Sequence, residues 1–116
     1  MRGDDVVAPV IAWMNEHVDA PLRLADAARL VHRSPSTVSH QFRARLGRSF
    51  QEVRTSLKLD RAEVLLATVP GMTVQEAAAR AGFADPLYFS RLFKKHRGRP
   101  PSAAKKGWAS PLAHER

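Results

Sequence analysis

Two stretches of this chain gather hydrogen-bond donors onto a single helical face. Between Ser34-Pro35 and Gly47, the side chains of Ser36, Ser39, His40 and Arg43 recur at three- and four-residue spacing, which lines them along one side of an α-helix. Between Asp85-Pro86 and Gly98, Leu87, Ser90, Arg91 and Lys94 do the same. Hydroxyl, imidazole, guanidinium and ammonium groups set out in this way suit hydrogen bonding and charge matching to an extended anion. They do not suit bond-making. The chain has no Walker A loop, GxGxxG turn, His-Glu-x-x-His or cluster of carboxylates, so catalysis is not expected. His17, His32, His40, His96 and His114 are scattered and read as surface or turn residues, with neither a metal site nor a cofactor expected. Absence of cysteine excludes a disulfide framework, a thiolate zinc site and a thiol nucleophile.

Charge follows the same two stretches. Lys plus Arg number 19 against 11 for Asp plus Glu, a formal charge of +8. Residues 30–58 hold six basic side chains against Glu52 alone, and residues 86–106 hold seven and no acid. The flanking segments 1–28 and 59–85 are net acidic. A chain made basic only for solubility has no reason to be divided into blocks, so a polyanionic partner is expected, nucleic acid or an anionic membrane surface. The basic faces carry Ser and His where a membrane-lying helix carries bulky apolar residues. No apolar run approaches the ~18 residues of a membrane span, and no membrane partner is expected. The opening MRGDDVV lacks a basic leader followed by an apolar stretch, so the expected location is the cytoplasm, in association with the nucleoid.

The elements that must position these faces are helices. Period-2 alternation and Asn-Gly or Asp-Gly turns are missing, while apolar residues recur every three to four positions, an all-α pattern. A first helix carries Val10, Ile11, Met14 and Val18, opens at Pro9 and stops before Asp19-Ala20-Pro21. A short Ala-rich helix covers 24–31, and a third opens on Ser34-Pro35 and ends at Gly47. A long helix spans 50–69 and stops at Pro70-Gly71. A second Ala-rich helix covers 74–81, and Asp85-Pro86 opens another that ends at Gly98. After Pro100-Pro101 there is room for a last turn or two, with Trp108 as a packing anchor. The expected organisation is a first subdomain over 1–49, a linker helix over 50–70, a second subdomain over 71–108 and a frayed tail over 109–116, the first four residues fraying too.

The two subdomains repeat each other. Leu24-Ala25-Asp26-Ala27-Ala28 matches Val74-Gln75-Glu76-Ala77-Ala78 at an offset of 50, and Ser34-Pro35 matches Asp85-Pro86 at 51. The second register also pairs Val38 with Phe89, Ser39 with Ser90, His40 with Arg91, Phe42 with Phe93 and Gly47 with Gly98. Each copy is a short helix, a tight turn and a second helix that is basic on one side. Its apolar side is Val38, Phe42 and Leu46 in the first copy and Phe89, Leu92 and Phe93 in the second. That is the layout of a helix-turn-helix reader of DNA. In the long helix, Phe50, Val53, Leu57 and Val64 form one apolar stripe and Leu59, Ala62, Leu66 and Val69 another, as expected of a helix between two bodies. Its length of about 30 Å suits two reading helices one duplex turn apart, ~34 Å, on an asymmetric site bound by a monomer.

From these residues the chain resembles the two-motif DNA-binding domain of the AraC/XylS family of bacterial transcription regulators. The resemblance covers about residues 6–106. It is most specific over Gly82-Phe83-Ala84-Asp85-Pro86-Leu87-Tyr88-Phe89-Ser90-Arg91-Leu92-Phe93-Lys94-Lys95-His96-Arg97-Gly98 with Pro100-Pro101, and it extends to Leu46-Gly47-Arg48-Ser49-Phe50 and Leu59-Asp60-Arg61-Ala62. It implies a seven-helix all-α fold, two helix-turn-helix subdomains on a long central helix, and recognition helices in successive major grooves of double-stranded DNA. Carried over by position, base-edge contacts fall to Ser36, Ser39 and His40 in the first motif and to Pro86, Leu87, Ser90 and Arg91 in the second. Arg91 is the strongest reader, because a guanidinium can clamp guanine N7 and O6. Phosphate contacts are expected from Arg33, Arg43, Arg48, Lys94, Lys95 and Arg99, and RNA polymerase is a further expected partner. Three positions depart from the family pattern. Lys58 replaces an arginine, His32 stands where the second motif has Gly82, and Ala104-Lys105 replaces Tyr-Arg.

At this length there is no room for a separate ligand-sensing or dimerisation domain. The chain is either a free-standing regulator or the terminal piece of a longer one. Two other readings compete with sequence-specific regulation. A nucleoid-type binder would hold phosphates alone and ignore sequence; a protein–protein adaptor would fail to shift DNA even at low salt.

Overall fold

The computed structural model describes residues 5–105. Among them are six α-helices, no strand and a closing 3-10 turn: α1 (Val7–Glu16), α2 (Leu24–Leu30), α3 (Pro35–Leu46), α4 (Phe50–Thr68), α5 (Val74–Arg80), α6 (Pro86–Arg97) and the turn Pro101–Ala104. The all-α expectation holds; of the expected seventh helix, the described residues include the turn Pro101–Ala104. Trp108 and the 109–116 tail lie outside the described residues, as do the first four. The chain divides into two compact units, Met1–Leu57 and Lys58–Arg116, with the break inside α4.

Side chains close the helix ends. Ser34 Oγ accepts from the Thr37 N–H at 3.1 Å, and Asp85 Oδ1 accepts from the Leu87 N–H at 3.0 Å. Each cap is followed by proline at a position whose N–H has no helical partner to lose. Both helices end on a left-handed glycine, Gly47 at φ 69° and Gly98 at φ 77°. Ser49 and Glu52 exchange bonds across the first turn of α4, as Thr73 and Glu76 do for α5. The backbone N–H groups of Ser49 and Thr73 hold the Glu52 and Glu76 carboxyls below the usual carboxylate range. Helix α1 starts two residues before the expected Pro9 because Asp5 Oδ1 accepts from the Val7 N–H at 3.1 Å. Pro9 then sits harmlessly within the first turn.

In the first unit, Val10 and Met14 of α1, Ala27 and Ala28 of α2, Val38 and Phe42 of α3, and Phe50 and Val53 of α4 make one core. The Phe42 and Phe50 rings meet edge to face at 5.5 Å. Arg54 donates to the Ala20 carbonyl at 2.7 Å, tying the α1–α2 loop to α4. Leu46, expected inside, is 39% exposed. Val38 and Phe42 already fill the core-facing turns, and Leu46 instead borders a shallow groove with Ile11.

In the second unit the core is Leu59, Ala62 and Leu66 of α4, Ala77 and Ala78 of α5, Phe89 and Phe93 of α6, and the loop residues Met72, Ala81 and Phe83. Val64, expected in an apolar stripe, is 55% exposed. It lies two residues beyond Ala62, about 200° around the helix, and so faces away from the core that Ala62 helps to build. Lys58 Nζ stands 4.6 Å from the centroid of the Phe83 ring, a cation–π contact that a lysine makes with less stacking than an arginine.

The tight turns of the two units have one construction. Arg33 N–H bonds the Ala28 carbonyl at 3.0 Å, and Phe83 N–H bonds the Ala78 carbonyl at 2.9 Å. The residue before each is left-handed, His32 at φ 56° and Gly82 at φ 93°. A side chain in that conformation costs about 1 kcal/mol that glycine does not. His32→Gly is therefore expected to stabilise the protein by roughly 0.5–1 kcal/mol. A lower melting temperature for this variant would show that the imidazole contributes more than the strain.

Candidate nucleic-acid interface

Helix α3 carries the expected base-contact residues on the side away from Val38 and Phe42. Ser36, His40 and Arg43 are exposed and Ser39 is half-buried. Together with Leu24 and Pro35 they line one open groove of about 410 Å³. The hydroxyls and the imidazole can each donate or accept, while Arg43 can only donate. Arg33 stands in the preceding turn, outside that groove. Arg48 lies beyond the far end of the helix, where it donates to the Glu52 carbonyl at 3.4 Å.

Helix α6 presents the stronger face. Arg91, Lys94 and Lys95 are exposed and Ser90 is half-buried; all four line a groove of about 470 Å³ against Val74, Pro101 and Ser102. Pro86 and Leu87 occupy the first turn of the same helix, ahead of that groove. Among the described residues no carboxylate is paired with Arg43, Arg91, Lys94 or Lys95. Two further cations of the second basic block, Arg97 and Arg99, are used differently. Arg97 bonds Glu63 at 3.1 Å and also pairs with Asp60, and Arg99 stands 3.3 Å from Glu63. Arg97 thus joins α6 to the second unit's part of α4, and Arg99, expected on phosphate, shares its guanidinium with a carboxylate.

Sequence reasoning missed the groove floor. Val74, Pro101 and Ser102 come from the start of α5 and the closing turn, and only the local Pro100-Pro101 signal hints that chain returns there. Among the described residues no group of His, Asp and Glu is close enough to hold a metal ion. None of the described helices is long and apolar enough to cross a membrane.

A model for a helix-turn-helix domain matches residues 27–107. The arabinose operon regulatory protein of Escherichia coli K12 is 36% identical over 105 residues, covering 90% of this chain and 36% of that protein. The chain spans about a third of the length of such curated relatives. A transcriptional regulator from Chromobacterium violaceum, described as containing an AraC-type DNA-binding domain, has a similar fold at a TM-score of 0.82 and 24% identity, over 91% of this chain and 94% of its own. The DNA-binding domain of AdpA, a global transcriptional factor solved in complex with a target DNA, aligns at a TM-score of 0.77 and 28% identity, over 85% of this chain and 88% of its own.

Proposed function

This chain belongs to the AraC-type helix-turn-helix family of transcription regulators, and from that premise we propose that it reads an asymmetric duplex site with two unlike recognition helices, α3 and α6, in successive major grooves. Ser36, Ser39 and His40 meet base edges in one half of the site; Pro86, Leu87, Ser90 and Arg91 meet them in the other. Arg33, Arg43, Arg48, Lys94 and Lys95 hold phosphates, and Arg99, shared with Glu63, contributes least to that set. One copy suffices for a site because it carries both readers. RNA polymerase is the second partner and the nucleoid the place of action.

The observation that carries this reading is the coincidence, in each unit, of an exposed face of hydrogen-bond donors with a capped helix that follows a tight turn. Its test is enrichment of bound sites from a random duplex pool, followed by footprinting. The expected result is one unsymmetrical motif, protection over two successive grooves, and binding at least ~10³ tighter than to random duplex. A ratio near one would leave a nucleoid-type binder that holds only phosphate. Within this scheme Lys94→Ala removes one phosphate contact. It should lower the slope of log K against log salt by about one and weaken all sequences alike. An unchanged slope would take Lys94 off the backbone.

A further inference from the structure

We infer that Leu87 reads the 5-methyl group of a pyrimidine, within two base pairs of the guanine held by Arg91; the inference rests on the DNA-reading assignment above. Leu87 is 71% exposed, more than Val64 at 55%, Tyr88 at 51%, Leu30 at 42% or Leu46 at 39%. A lone exposed leucine carries no meaning on an ordinary surface. This one sits in the first turn of α6, its own N–H held by Asp85 at 3.0 Å. Its side chain lies three and four positions before Ser90 and Arg91, on the same helical face. An apolar group on a face of donors has one complement in the major groove, the C5-methyl that distinguishes thymine.

Helix geometry sets the reach. Four residues at 1.5 Å rise separate Leu87 from Arg91 by about 6 Å along the axis, and successive base pairs stack at about 3.4 Å. The methyl group therefore lies one or two base pairs from the clamped guanine. The equivalent residue of the first unit is Ser36, an exposed hydroxyl, which gains nothing from a methyl group. Methyl reading is confined to the α6 half of the site, and this difference contributes to its asymmetry. Tyr88 is about 100° further around the helix and off this face.

The test uses the full chain and the site it enriches from random duplex. Each thymine is replaced in turn by uracil, which removes the methyl and leaves base pairing unchanged. One replacement in the α6 half, within two base pairs of the position that Arg91→Ala relaxes, should weaken binding about fourfold, the ratio for burying one methyl-sized group. Putting 5-methylcytosine rather than cytosine at that position should recover a similar factor, which separates the methyl from the rest of thymine. Leu87→Ala, at an exposed position that leaves the core intact, should bind the thymine and uracil sites equally. Indifference of the native chain to every uracil, or a Leu87→Ala protein that keeps the fourfold preference, overturns the inference and leaves DNA reading standing. Failure to enrich any site overturns both.

Discussion

Phe93→Ala is expected to destabilise the second unit by about 3–5 kcal/mol, the usual range for truncating a fully buried aromatic ring. Phe93 has no exposed surface and its ring lies 5.7 Å from that of Phe89, which in turn meets Phe83 at 5.1 Å. These three rings are the largest side chains in a core whose other members include four small alanines, Ala62, Ala77, Ala78 and Ala81. Small side chains cannot move in to fill the space that a lost ring leaves, so collapse of the cavity is limited and the upper part of the range applies. A unit of roughly sixty residues is marginally stable to begin with, and a loss of this size removes most or all of its margin. Hydrogen exchange should show α5 and α6 losing protection while α2 and α3, which belong to a separate core, retain theirs. DNA binding should disappear with α6. Phe93→Leu keeps more of the volume and should lose clearly less. A Phe93→Ala protein with an unchanged melting curve would mean that the apolar side of α6 has been assigned to the wrong residues.

Much of this architecture was legible in the chain because short-range chemistry decides it. Ser34-Pro35 and Asp85-Pro86 mark helix starts through a side-chain acceptor followed by a residue without an N–H, and Gly47 and Gly98 mark ends through a conformation other residues resist. Each signal is local, and each proved to lie where expected. His32 was legible for the same reason, since its place in the repeat is that of Gly82 and its φ is positive.

What escaped was decided by neighbours distant in sequence. Leu46 and Val64 fit an apolar period, yet whether such a residue is buried depends on whether a partner element extends that far. At the end of α3 and in the last third of α4 the described neighbours leave them 39% and 55% exposed. Arg97 and Arg99 looked like their neighbours Lys94 and Lys95. Glu63, more than thirty residues earlier in the chain, separates the two pairs by holding the arginines. Charge counted along a sequence cannot distinguish a cation that fastens α6 to α4 from one that faces outward, although only the second is available to an anionic partner. The start of α1 shows a milder form: Pro9 was the strongest local mark, but the Asp5 carboxylate two residues before the first turn prevailed.

Arg91→Ala is expected to cost about 1–3 kcal/mol of binding to the enriched site and to relax preference at a single base pair. The side chain is exposed on the outer face of α6, among Ser90, Lys94 and Lys95, and is paired with no carboxylate among the described residues. Its guanidinium therefore gives up no internal ion pair on meeting DNA, unlike Arg97, which would first have to leave Glu63 and Asp60. Two parallel N–H groups match guanine O6 and N7, and no other base presents two acceptors at that spacing in the major groove. Loss of the fork should thus weaken the guanine site and leave sites with another base at that position nearly unchanged. Arg91→Lys separates shape from charge: an ammonium keeps the attraction to DNA but not the planar fork, so the salt slope should hold while discrimination falls. Site enrichment with each variant reads both effects together. If Arg91→Ala weakened every sequence equally and reduced the salt slope by about one, the residue would be a phosphate contact, and discrimination in the α6 half would have to come from Pro86, Leu87 and Ser90.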